Sequence, residues 1–351
     1  MDTPSQDRGD RRSKHRPGAA SSKHDKARGE NGAVCPEFNR TQIRLILLFF
    51  AVSFSIGIFY TFRGSSLPQP GGNALPSFMF VSRSHHMPVS TDQLPDFWKS
   101  RYVACVLTGW WTDFWKPANQ AGFMNVFASF HAVCVFGVLV AMVFGLKNAM
   151  VPMFGVVAGI VFNASPELHP YVLPWDMLAM LLFTVASLSY FHKNWTLLIA
   201  TVFLGGLVKE TVLVCALFLL AAPWKWKLRI AMIGGLILLT YLVNTAFMPQ
   251  RAAPSWVVAM VDGRITHNLR AFVSLSPAHV LFANAGGLLV AVVCLFRAKD
   301  WTTLAVFGAY MVGQFFGGQI DEFRVWFEIL PTCWIVIQKN LFERNREIAG
   351  C

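Results

Sequence analysis

Charge is what this chain has least of. Asp, Glu, Lys and Arg make up 14% of its 351 residues, where a soluble domain carries about a quarter. So few charges cannot cover the surface of a water-soluble protein of this length. Acids are the scarcer sign, 19 against 30 Lys and Arg. The seven cysteines form no CxxC pair and no metal-ligand spacing, which excludes a zinc ribbon or a dithiol redox motif. Cys134, Cys215, Cys294 and Cys333 lie in apolar runs, where Cys acts as a small hydrophobe. Cys351 is the last residue and cannot be a prenylation box. His85-His86 has no third ligand at useful spacing, so no metal site is read here. The first 40 residues hold no apolar run, and no signal peptide is expected.

What is abundant is apolar sequence, 54% of the chain. Several runs reach membrane-span length. The reading is an all-α polytopic membrane protein of about ten segments, including short broken or re-entrant helices. Residues 1–40 are polar and basic, with Arg11, Arg12, Lys14 and Arg16 together, and read as a disordered cytoplasmic tail facing anionic lipid. The transmembrane domain is 41–338, and 339–351 is a second cytoplasmic tail. The net charge of +11 comes mainly from the N-terminal tail and short loops between spans. That is the positive-inside pattern, with membrane lipid as partner and no nucleic acid.

The first span is about Ile43 to Phe62, and an outer loop covers 63–120. Within it Leu94, Phe97, Trp98, Arg101, Tyr102, Cys105 and Val106 recur at three and four, the pattern of an interfacial amphipathic helix, with Asp113 past its end. Further spans are read at about 121–146, 149–162, 177–190, 230–247, 280–296, 301–316 and 325–337, with a second outer loop at 248–279. Lys147, His192-Lys193, Arg297 and Lys299 mark the inner turns.

The run from Trp195 to Pro223 is about 29 residues, too long for an upright span of about 20. As one helix it would place Trp224-Lys225-Trp226-Lys227-Leu228-Arg229 outside. Broken at Lys209-Glu210, it returns that basic cluster to the inner side. Gly205-Gly206 weakens helix just before the break. Two helices are therefore expected, with the charged pair at their turn.

This topology gathers ionisable residues at the outer face: Asp92, Asp96, Arg101, Asp113, Glu167, His169, Asp176, Lys209, Glu210, Asp321, Glu322, Arg324 and Glu328. Some will neutralise each other, with Arg324 and Glu328 one helical turn apart. Asp176 and Asp96 could equally be helix caps. Yet carboxylates can serve as general bases on a hydroxyl acceptor, and Arg or Lys can hold a phosphate leaving group. Together they describe transfer from a lipid phosphate.

The segments Pro95-Asp-Phe-Trp-Lys-Ser-Arg101, Leu173-Pro-Trp-Asp176, Val208-Lys-Glu-Thr211 and Asp321-Glu-Phe-Arg-Val-Trp-Phe-Glu-Ile-Leu-Pro331 resemble, in this order, a set found in bacterial multi-pass membrane proteins without an assigned activity. Those proteins in turn resemble the C-type (GT-C) membrane glycosyltransferases. The resemblance covers most of the chain after residue 40. It implies a polyprenyl-phosphate-linked sugar as donor, a glycan or lipid acceptor, and an inner-membrane location with both termini cytoplasmic. On this resemblance Asp92 or Asp96 is the candidate base. Lys209 and Arg324 hold the donor phosphate, with Arg101 nearby. Glu210, Asp321 and Glu328 position them or bind a divalent cation. The chain departs from the pattern in placing its first acids about 30 residues after the first span and in lacking a large soluble C-terminal domain. Two other functions stay open: a transporter or flippase of a lipid-linked saccharide, and a non-catalytic assembly subunit.

Overall fold

Long apolar runs with few prolines leave the backbone one way to satisfy its polar groups away from water, and that is helix. The computed structural model describes residues 40–66, 102–118, 120–163, 174–247, 263–274, 287–317 and 326–343, and among them there is no strand. The N-terminal tail, most of the first outer loop and the end of the C-terminal tail lie outside the described residues. The elements in order are α1 (Arg40–Ser66), α2 (Tyr102–Trp115), α3 (Gln120–Gly145), α4 (Met150–Asn163), α5 (Pro174–Phe191) and α6 (Trp195–Val208). A 3-10 arm (Glu210–Ala221) follows, then α7 (Trp226–Phe247), α8 (Arg264–Ser274), α9 (Gly287–Ala298), α10 (Trp301–Gly317) and α11 (Leu330–Ile337), which runs into a π-turn at Gln338–Glu343. Two stretches, Ala128–Gly145 in α3 and Trp226–Ala246 in α7, are long and apolar enough to cross a membrane.

The run from Trp195 to Pro223 is two helices. Lys209 breaks it with an extended backbone, φ −156° and ψ 128°. The ends of the pair meet again, with the Trp195 and Trp224 rings 6.2 Å apart. This is a helical hairpin with Lys209 at its tip. Gly205 and Gly206 permit the tip: a Cβ on Gly205 would sit 2.3 Å from the Val212 side chain. The returning arm is wound as a 3-10 helix, unusual at 12 residues. Its rise of about 2.0 Å per residue makes it about 24 Å long, close to the roughly 21 Å of the 14-residue α6. Val212, Cys215 and Phe218, three apart, stack in one fully buried row. They share one core cluster with Phe183 of α5, Ala291 of α9 and Val306 of α10.

The turns between helices gather at one end of the bundle. His192 Nε2 bonds the Gly145 carbonyl at 2.7 Å. Tyr190 donates to Asp300 at 3.2 Å. Asp300 also caps α10, accepting from the Thr303 amide at 3.0 Å and its hydroxyl at 2.6 Å. Lys147, Lys193, Lys225, Lys227, Arg229, Arg297 and Lys299 all belong to these turns or the helix ends beside them.

Three expectations change. The loop helix α2 continues from Tyr102 to Trp115, so Asp113 is inside it rather than past its end. No proline lies between Tyr102 and Pro117, and Thr108 and Thr112 bond back to the carbonyls of Ala104 and Thr108. Trp111 ties α2 to α3 through the Val126 carbonyl and the Ser129 hydroxyl. The second outer loop contains α8, held to α10 by Asn268 donating to the Phe315 carbonyl at 2.6 Å. The segment read as the last span becomes helical later than expected: residues 326–329 are turn, and α11 begins at Leu330 with Pro331 in its first turn.

Candidate functional site

The hairpin tip carries a lysine into apolar surroundings, and a buried ammonium requires acceptors. Lys209 is 6% exposed. Its backbone closes α6, donating to the Gly205 carbonyl at 2.8 Å, and opens the next arm, accepting from the Val212 amide at 3.1 Å. The extended geometry at this residue swings the side chain away from both helices. Its Nζ donates to Asp176 Oδ1 at 2.7 Å and to Glu328 Oε1. Thr211 Oγ1, two residues on, donates to the other oxygen of Glu328.

The two carboxylates come from separate parts of the chain. Asp176 lies in the first turn of α5, where Pro174 occupies a position that needs no N–H. A carboxylate in that turn is favoured by the helix dipole. Glu328 lies in the turn before α11, between Phe327 and Ile329, and is fully buried. The cluster thus joins the start of α5, the hairpin tip and the entry to α11. Trp175, Val208 and Ala104 of α2 pack as an apolar group directly beside it. Tyr310, in contact with Trp326 and Phe183, lies within the electrostatic reach of both Glu328 and Asp176.

The site lies far from the basic turns. Asp176 opens α5 and Tyr190, beside those turns, closes it, a separation of about 21 Å at 1.5 Å per residue. Between them α5 buries Ala179, Met180, Phe183 and Ala186. Its buried hydroxyls are engaged, Thr184 with the Met180 carbonyl and Ser187 with Thr332 at 2.8 Å.

Of the residues singled out from the sequence, the structure brings Lys209 and Glu328 into contact. Glu210 follows Lys209 at the start of the 3-10 arm and is half-buried. Asp92, Asp96, Arg101, Asp321 and Arg324 lie outside the described residues. Two of the expected roles fall on residues of this cluster. Lys209 was expected to hold a donor phosphate; its ammonium donates to Asp176 and Glu328. Glu328 was expected to pair with Arg324 along a helix or to serve a divalent cation. Glu328 lies in the turn at 326–329 and its two oxygens accept from Lys209 and Thr211, while Arg324 lies outside the described residues. Among the described residues no three His, Cys, Asp or Glu side chains gather as a metal site.

Asp176 and Thr211 complete the cluster and were absent from the candidate roles. Both stood in segments that carry the family resemblance, one after Pro-Trp and one after Lys-Glu. A proline-led acid beside a break in an apolar run was the available signal. Comparison of the chain with known protein families, with curated proteins and with solved structures gives no significant match.

Proposed function

We propose that this chain is a multi-pass membrane glycosyltransferase of the C type, moving a sugar from a polyprenyl-phosphate donor to a glycan or lipid acceptor at the extracytoplasmic face. The observation that carries the reading is the hairpin whose tip delivers Lys209 and Thr211 onto Asp176 and Glu328 at the end of the bundle remote from the basic turns. Three of the four segments behind the family resemblance supply described residues of that cluster: Asp176, Lys209 with Thr211, and Glu328. In this reading the cluster is a clamp. It fixes the hairpin against α5 and α11 and so shapes the floor on which the donor phosphate rests.

The chemistry falls to the residues that the resemblance assigns to it. The acceptor hydroxyl oxygen bonds to the anomeric carbon of the donor sugar while the carbon–oxygen bond to phosphate breaks. The hydroxyl proton passes to Asp92 or Asp96, and the bonding pair leaves with the polyprenyl phosphate. Arg324, with Arg101, meets that phosphate, since guanidinium matches phosphate through two parallel hydrogen bonds. Transport across the membrane is less well supported, because a polar path would have to cross the apolar interior between Asp176 and Tyr190.

The test compares lipid-linked saccharides in cells carrying the wild type, a deletion, Asp92→Asn, Asp96→Asn or Arg324→Gln at matched protein level. Build-up of a monosaccharide polyprenyl phosphate, with one sugar missing from a surface glycan, is expected in the deletion, in Arg324→Gln and in one of the two Asp variants. A finished lipid-linked saccharide held on the inner leaflet would replace transfer with transport. Unchanged lipids in every strain would sink both.

A further inference from the structure

A second feature lies between α9 and α10 and owes nothing to the charged cluster. The two helices form a hairpin around Lys299, whose φ of 55° makes the turn. They leave a groove of about 530 Å³ between them, the size of a pocket for a small ligand. Its walls are apolar: Leu288, Val292 and Phe296 on one side, Trp301, Leu304 and Met311 on the other. At the turn the rings of Phe296 and Trp301 meet edge to face at 6.2 Å. Both are largely exposed.

What fits the groove is set by its mouth. Arg297 and Lys299 lie between the two aromatics in the chain, at the turn, and both are exposed. The one acid in this turn, Asp300, is turned to Tyr190 and Thr303. The groove therefore offers an apolar trough, an aromatic rim and two cations in succession. An aromatic rim at headgroup level and basic side chains reaching past it are how membrane proteins meet lipid. We propose that this groove binds one acyl chain of an anionic phospholipid, with the headgroup phosphate on Arg297 and Lys299.

Gly308 gives a clean test. It lines the groove, and a Cβ built on it meets no heavy atom within 4 Å. Gly308→Leu adds a side chain to the trough from a position with room for its Cβ and improves helix propensity. The experiment measures lipid retained by the purified full chain in native mass spectrometry, from nanodiscs of phosphatidylcholine with or without phosphatidylglycerol. The wild type is expected to keep one phosphatidylglycerol in preference to phosphatidylcholine. Gly308→Leu should lose it while melting no lower than the wild type, and Ala305→Leu, also in the groove, is read if that variant fails to fold. Arg297→Gln with Lys299→Gln should reduce the preference roughly thirtyfold, the factor for two basic residues at an anionic surface. Retention of phosphatidylglycerol by the filled groove, equal retention of both lipids by the wild type, or a dimer that covers α9 and α10 would each overturn the assignment.

Discussion

Replacing Lys209 by Met tests the buried cluster most directly. The substitution keeps the length and apolar stem of the side chain and removes only its charge. Two ion pairs go at once, with Asp176 and Glu328, whose side chains are 1% and 0% exposed. Removing one partner of a buried pair costs about 3–5 kcal/mol, because the remaining charge stays out of water. Here two carboxylates lose the same donor, so the upper part of that range applies. Asp176→Asn leaves an amide oxygen that still accepts from Nζ and leaves Glu328 in place, and should cost about 1–2 kcal/mol. The triple variant Asp176→Asn, Lys209→Met, Glu328→Gln carries no charge at all and should regain much of the loss. Equilibrium unfolding of the purified chain in mixed micelles, read by tryptophan fluorescence, gives all three values on one scale. A Lys209→Met variant within about 0.5 kcal/mol of the wild type would refute the burial argument. So would Asp176→Asn costing more than Lys209→Met.

Gly205→Val should destabilise by about 1–3 kcal/mol, since its Cβ would meet Val212 at 2.3 Å and push the arms of the hairpin apart, whereas Gly234→Ala, with nothing within 4 Å, should be neutral or stabilising in the same unfolding assay. Asp300→Ala removes the cap of α10 and the acceptor of Tyr190, and should lower stability by about 1–2 kcal/mol, with faster amide exchange in the first turn of α10 if the cap is what was lost.

The break at Lys209 was legible because two independent signals agreed on it. The run was too long for one span, and the basic residues after Pro223 belonged with the other basic turns. The chemistry at the break was less legible. Lys209 and Glu328 were visible as rare charges in apolar sequence. Their contact was not, since they are 119 positions apart and no local period links them. Glu328 was read with Arg324 because a helix was assumed there, and spacing of four means something only on a helix. Residues 326–329 are a turn before Pro331 opens the next helix, so Glu328 is not on a helix, and Arg324 lies outside the described residues. Asp176 was read as one of the gathered ionisable residues or as a helix cap, and was given no role of its own; it stands in the first turn of α5 and accepts from Lys209. The 3-10 winding of the returning arm had no sequence signal that would separate it from an α-helix of the same composition.

That winding fixes what kinds of change the gene can absorb here. In an α-helix the inward-facing positions drift, so a residue added or lost rotates the helix by 100° and neighbours can partly take over. In the 3-10 arm, with three residues per turn, Val212, Cys215 and Phe218 repeat at the full period of the helix. Substitution within that row keeps the register. A single inserted or deleted codon between Glu210 and Ala221 turns every later row by a third of a circle and changes the reach of the arm by about 2 Å. Trp224 could then no longer close the hairpin against Trp195. The arm is a ruler as much as a wall, and its length matters as much as its residues.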